Sequence, residues 1–293
     1  MKNGVFSAFG AYVLWGLLPI YWKAVQTVPA FEILCHRMVW SLVFVMLLLV
    51  WKGRWGWLEQ ARHNPTTLLT FFGSAGLLAL NWFTYIWAVN AGYIVDTSLG
   101  YFINPLVNVL LGVFFLRERL RSWQGMAIGI ATAGVVYLTF SHGTFPWIAL
   151  TLALTFGFYA LLRKVAPLDA LEGLSLETMI FFLPALAYLF YLELIGDASF
   201  GHTPAGTSAL LALTGVVTAS PLLLFAYGAK RVTLTTLGVL QYIAPTLQFL
   251  LGVLVYQEAF STTRLAGFGA IWLALLLYSA EGVVEKRKKR ASR

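Results

Sequence analysis

Long apolar runs separated by short polar breaks set the pattern of this chain. Ten such runs lie at about 4–22, 32–51, 68–90, 96–116, 123–140, 146–162, 175–194, 208–228, 233–256 and 263–280. Each is close to the length a helix needs to cross a hydrocarbon core of roughly 30 Å. Turn-forming clusters such as His63-Asn64-Pro65, Ser141-His142-Gly143 and Gly201-His202-Thr203-Pro204 divide them. Within the fourth run, Tyr101, Pro105, Asn108 and Gly112 recur at helical spacing and share one face, with Asn104 one residue off its centre. A polar stripe with a proline inside an apolar span predicts a lined cavity, because hydrocarbon offers polar groups no partner.

The stripe occurs twice. Gln241, Pro245, Gln248 and Gly252 follow their counterparts by 140 residues, and Glu258 follows Glu118 by the same interval. Gly16 and Lys23 match Gly157 and Lys164 at 141, while Glu32 matches Glu172 at 140. The series divides the chain into a first repeat at 1–140, a second at 141–282 and a basic tail at 283–293. Five spans per repeat is an odd number, so the copies must run in opposite senses through the membrane. The expected fold is an all-α membrane protein of ten transmembrane helices in two inverted five-helix repeats, a common build for secondary transporters.

Composition supports this class. Hydrophobic residues make up 59% and charged residues 11%, against roughly a quarter charged in soluble domains. No room remains for a soluble domain. The net charge of +8 is spread between spans, which argues against nucleic acid as a partner. The tail Glu285–Arg293 reads instead as a segment near anionic lipid head groups. With both termini cytoplasmic, every lysine and arginine except Lys23, Arg37 and Arg264 falls on the inner side, as the positive-inside rule asks. Cys35 is the single cysteine, so no internal disulfide forms. The first run lacks a small-residue cleavage site and reads as a span, not a removed signal.

Missing motifs narrow the chemistry. The sequence has no Gly-x-x-x-x-Gly-Lys-Ser/Thr phosphate loop, no His-Glu-x-x-His zinc motif and no Gly-x-Ser-x-Gly elbow. Ile195-Gly196-Asp197 has no second intramembrane aspartate to pair with. No cofactor and no metal are expected, and the chain does not read as an enzyme.

Candidate site residues follow from polar groups at membrane depth. Only 14 residues run from Met38 to Trp51, too few to span, so the second helix starts near Glu32. Glu32, His36 and Arg37 therefore lie at or inside the membrane edge. Arg37 can attract a substrate carboxylate and Glu32 or His36 can exchange a proton. The competing reading is a structural Glu–Arg pair, or an arginine reaching for head groups. Glu177, the counterpart of Arg37, reads as a gating residue or as a first-turn glutamate favoured by the helix dipole. Asn81 and Tyr85 share a face of the third span. With Tyr101, Asn104, Asn108, Tyr159, Gln241, Tyr242 and Gln248 they form the expected lining, against helix–helix hydrogen bonding as the alternative use of the amides. Pro105 and Pro245 are expected hinges.

Three stretches carry a family pattern: Pro29-Ala-Phe-Glu32-Ile-Leu-Cys-His36-Arg37-Met-Val-Trp40-Ser41, Asn81-Trp82-Phe-Thr-Tyr85-Ile-Trp87-Ala-Val-Asn90 and Ser98-Leu-Gly-Tyr101-Phe-Ile-Asn104-Pro105. They resemble the RarD group of EamA-type transporters in the drug/metabolite transporter superfamily, and the likeness extends over essentially the whole chain. The resemblance implies ten helices in the inner membrane and alternating-access transport of small organic metabolites or drugs. Export of amino-acid-like compounds is the superfamily's wider habit. A proton gradient is the expected energy source, and a homodimer through spans 5 and 10 is an expected assembly. The alternatives are a facilitative uniporter without ion coupling and a membrane receptor or scaffold without transport.

Overall fold

The computed structural model describes residues 2–53, 55–91, 93–142, 145–257, 269–270, 272–274 and 276–278. All regular structure among them is helical: α1 (Lys2–Ala24), α2 (Ala30–Lys52), α3 (Gly56–His63), α4 (Pro65–Asn90), α5 (Ile94–Leu116), α6 (Ser122–His142), α7 (Trp147–Val165), α8 (Ala170–Ile195), α9 (Ala205–Ala229), α10 (Leu234–Gln241) and α11 (Ile243–Leu250), then a π-helical turn at Leu251–Val255. Helices suit an apolar chain because they satisfy every backbone group internally.

Eight helical stretches are long and apolar enough to cross a membrane: α1, α2, α4, α5, α7, α8, α9 and the continuous Leu234–Val255. They coincide with eight of the ten expected spans. The fifth expected span is the helix α6, which is not among those eight. The tenth, about 263–280, lies largely outside the described residues, as do Glu258, Arg264 and the basic tail. The helix α3 was not expected. It buries Trp57 and Ala61 against Leu49 and Phe71 and bridges α2 to α4 across what the sequence presents as a polar turn.

Local chemistry fixes the helix ends. Asp169 and Glu172 form a reciprocal capping box at the start of α8. Gly53 and Gly196 close α2 and α8 in the left-handed conformation that glycine adopts without steric cost. Proline acts differently in the two repeated stripes. Pro105 lies within an unbroken α5. Pro245 coincides with a break, since α10 ends at Gln241, four residues before it, and Tyr242 separates α10 from α11.

The helices pack mainly across the two halves of the sequence. α1 meets α9, α10 and α11; α7 meets α4 and α5. α2 packs on α9 and α8 on α4, while α2 also meets α8 and α5 meets α10. Exchanging the halves leaves this set of pairings in place. Two glycines permit close crossings at equivalent places. A Cβ on Gly16 would stand 2.7 Å from Leu247 Cβ, and one on Gly157 would stand 2.5 Å from Val107 Cγ1. Gly16 and Gly157 are repeat counterparts, and so are Val107 and Leu247. Between these crossings sits an aromatic cluster of Tyr12, Trp15, Phe156, Tyr159 and Phe225, with ring centres 5.4–6.1 Å apart, in the range of favourable ring contacts.

Candidate functional site

Arg37 is the eighth residue of α2, two turns inside an apolar helix. Its Nε donates to Thr218 Oγ1 on α9 at 3.0 Å. The guanidinium carbon lies 4.8 Å from the Trp22 ring centre and 4.7 Å from that of Trp82, both within cation–π range. Among the described residues no carboxylate forms an ion pair with it. The Tyr85 and Tyr101 side chains are within its electrostatic reach, with ring centres 6.1 Å apart. These tyrosines remain 38% and 41% accessible although protein atoms crowd them closely. Both therefore offer aromatic surface beside the guanidinium. Arg37 thus presents a cation with aromatic flanks and, among the described residues, no protein counter-ion.

Arg37 lies toward the end of the bundle where α2 begins. There Glu32, fully buried, is committed to the loop between α8 and α9. One oxygen accepts from the Ser199 amide and the other from its hydroxyl, both at 2.7 Å. His36 Nε2 lies 3.7 Å from Glu32, yet neither ring nitrogen makes a hydrogen bond. Phe200 packs against both His36 and Trp40. The Lys23 ammonium sits over the Tyr256 ring. Glu32 and Arg37 therefore form no pair with each other; each faces a different partner.

The opposite, lysine- and arginine-rich end is sealed. Arg163 and Glu177 are each 1% exposed and 3.5 Å apart. Glu177 also accepts from Ser74 Oγ at 2.5 Å and from the Tyr159 hydroxyl at 3.4 Å. Arg163 donates to the Ala170 carbonyl and lies over Phe71. Gly173 makes room for it, since a Cβ there would stand 2.1 Å from Arg163 Nη1. Lys164 donates to the carbonyls of Ala229 and Val232. Glu118 takes the Leu234 and Thr235 amides at 2.6 and 2.9 Å, capping α10 where its backbone donors lack partners. At the rim, Lys230 lies 3.8 Å from Asp169. Burial holds its ammonium below the ordinary lysine range, and the Asp169 carboxylate pulls it back up.

The amides form a seam between helices. Asn108, fully buried, donates to Asn104 Oδ1 at 3.3 Å and Gln241 Oε1 at 2.8 Å. Asn104 donates to the Ala153 carbonyl, and Asn81 to the Leu152 carbonyl and Thr155 hydroxyl. Gln248 donates to the Trp15 carbonyl at 3.2 Å, the acceptor that Pro19, lacking an N–H, leaves free four residues on. Tyr159 and Tyr242 are buried, with their hydroxyls directed to Glu177 and the Phe102 carbonyl.

The expected lining residues thus divide. Arg37, Tyr85, Tyr101 and Gln248 keep accessible surface and Asn81 is half-buried; Asn104, Asn108, Tyr159, Gln241 and Tyr242 are interior in this conformation. Sequence reasoning missed Trp22, Ser74, Arg163, Thr218 and Ser199 as partners. A hydroxyl within an apolar span gives little signal, and Arg163 reads as a loop charge beside Lys164. The repeat interval would have found two of them, since Trp22 and Arg163 occupy equivalent positions. A small cleft beside Pro105, lined by Val109, Ala131, Tyr242 and Tyr278, is apolar and separate from Arg37.

Comparison with known proteins follows the same lines. Residues 2–140 match the EamA-like transporter family. A protein named RarD from Streptomyces exfoliatus is 44% identical over 290 residues, covering 99% of this chain and 92% of that protein. An uncharacterized transporter, YojE, from Bacillus subtilis (strain 168) is 45% identical over 294 residues, covering 99% and 98%. A solved crystal structure with 21% identity covers 96% of this chain and 97% of its own, with a TM-score of 0.71; that likeness concerns the fold alone.

Proposed function

The chain belongs to the EamA-like transporter family, within its RarD group, and on that footing we propose that it is a secondary active transporter that exports small organic metabolites or drugs by alternating access. It is a multi-pass membrane protein of a transporter family. In the proposed arrangement ten spans form two inverted repeats, with α6 as the fifth span and the 263–280 segment as the tenth. The exchange-invariant helix pairings and the paired crossings of Gly16 and Gly157 support that reading. The sealed basic end then faces the cytoplasm of a cell whose inner membrane holds the protein, as the positive-inside rule requires. The Arg37 cavity opens outward, and a second copy docks through spans 5 and 10.

One observation carries the proposal. Arg37 lies at membrane depth beside accessible aromatic side chains, without a carboxylate partner among the described residues. An intramembrane cation left in that state is costly and serves a ligand or a water-filled path. Arg37, Tyr85, Tyr101 and Gln248 are placed as solute-binding groups, Glu177 as a gate, and Glu32 with His36 as the proton-coupling pair. Flux in proteoliposomes tests this. A solute gradient with an opposing pH gradient should drive transport in the native protein and fail in Arg37→Gln. Unchanged flux in Arg37→Gln would remove the site assignment.

A second reading is favoured by Glu32, both of whose oxygens are taken by Ser199. A carboxylate so occupied suits a uniporter with no ion coupling. Flux that follows the solute gradient alone and ignores an imposed pH gradient favours the uniporter, whereas pH-driven flux that persists in Glu32→Gln, His36→Ala and the double variant removes that pair from the coupling.

A further inference from the structure

The two ends of the bundle carry equivalent positions with unequal chemistry. Trp22 and Arg163 are repeat counterparts at an interval of 141, and Arg37 and Glu177 at 140. At the sealed end the equivalent pair is an ion pair, Arg163 with Glu177, 1% exposed on both sides. At the open end it is a cation over an indole, Arg37 with Trp22. Each half also binds a hydroxyl of the other: Glu177 takes Ser74 on α4, and Arg37 takes Thr218 on α9. Beside Arg37 there is the cross-half hydroxyl but, among the described residues, no paired carboxylate, since Glu32 at the same end is taken by Ser199.

An indole cannot replace that carboxylate. A cation–π contact supplies no acceptor to the guanidinium N–H groups, whereas a carboxylate takes two of them in one plane. Burying Arg37 as fully as Arg163 would strand an unpaired charge in a dry interior. Without a carboxylate partner, Arg37 thus opposes closure of its own end.

We infer that the solute's own carboxylate supplies the missing partner, so that the Arg37 end closes only around a bound organic anion. The transported class is then small carboxylates, and the same contact that binds the solute releases the block on the conformational change. This rests on the transport reading above. A neutral solute binds beside the aromatic walls without closing the gate.

A tethered carboxylate tests the inference with no solute in hand. In a Cys35→Ala background, Tyr101→Cys places a thiol at an accessible position near Arg37, and a charged thiol reagent reports its exposure in purified protein. Trp22→Glu introduces a carboxylate into the space the indole leaves beside Arg37. Labelling of Tyr101→Cys should fall at least about tenfold in Trp22→Glu relative to Trp22→Gln, within the usual range of coupling between two conformations. Adding Arg37→Gln should restore it. Equal labelling in Trp22→Glu and Trp22→Gln, or no recovery with Arg37→Gln, would overturn the inference. If Trp22→Glu does not fold, Trp22→Arg with Arg37→Glu rebuilds the order found at the sealed end and takes the same test. A Tyr101→Cys thiol that resists reagent with Trp22 and Arg37 intact would instead remove the open cavity, and the transport reading with it.

Discussion

The Tyr242 hydroxyl donates to the main-chain carbonyl of Phe102 at 3.3 Å, and the two residues stand 140 positions apart. They are repeat counterparts in contact with each other, which places the contact on the proposed two-fold axis. Trp15 and Phe156, 141 apart, form a second such pair with ring centres 5.8 Å apart. Tyr242→Phe removes one buried hydrogen bond and little volume. It should cost about 0.5–1.5 kcal/mol, read as a lower melting temperature in detergent. An unchanged melting temperature would show that the hydroxyl contributes nothing at the α10–α11 break.

Arg163 and Glu177 form a pair that neither can leave alone. Arg163→Ala strands the Glu177 carboxylate among α4, α7 and α8 and should cost about 3–5 kcal/mol. Replacing both, Arg163→Met with Glu177→Leu, should recover most of that loss in chemical unfolding. It should also loosen the basic end, measured as faster hydrogen exchange at the start of α8. A double variant as unstable as Arg163→Ala would show that the geometry of Ser74 and Tyr159 matters more than the charge.

Asn108 and Gln241 bind each other in the interior, so their first role is to hold α5 against α10. A cycle of Asn108→Ala, Gln241→Ala and the double variant should give a coupling energy of about 0.5–3 kcal/mol in unfolding. Solute binding at the Arg37 site should survive Asn108→Ala, in contrast to Arg37→Gln. Loss of binding in Asn108→Ala with stability intact would move the site to the seam.

Lys230 gives a pH dependence with a definite sign. Burial, set against the pull of Asp169 and Glu172 and reinforced by Arg163 and Arg231, lowers its folded pKa. Between that value and an unfolded value of about 10.4, the unfolded chain holds the proton more strongly. Stability from this group therefore rises with pH through that window, and its charge is a constant cost below it. Lys230→Met should flatten the alkaline rise in melting temperature and raise the value at neutral pH. Parallel pH profiles for the two proteins would remove Lys230 from the account.

The spans were legible because an apolar run of about twenty residues has few alternatives to a helix. The amphipathic α3 was not, since Trp57 and Ala61 are two buried positions in eight residues that are otherwise polar or small apart from an exposed Leu58. The stripe of Tyr101, Asn108 and Gln241 was legible as polar and intramembrane, but periodicity does not say what a polar face meets. A cavity and a neighbouring amide satisfy the same asparagine, and here Asn108 found the amide while Tyr101 kept accessible surface. Arg37 stood out by its depth. Its partners did not, because Thr218 and Trp22 are 181 and 15 positions away and neither type is unusual in a membrane helix.

Under the proposed two-fold axis, contacts away from it exist in duplicate, and duplication leaves room for difference. One place holds the Arg163–Glu177 ion pair and its equivalent an arginine beside Trp22. Contacts on the axis exist once. The meeting of Trp15 with Phe156 has no spare elsewhere in the molecule, so a substitution there is felt by both halves simultaneously, and neither repeat can drift at that point without the other.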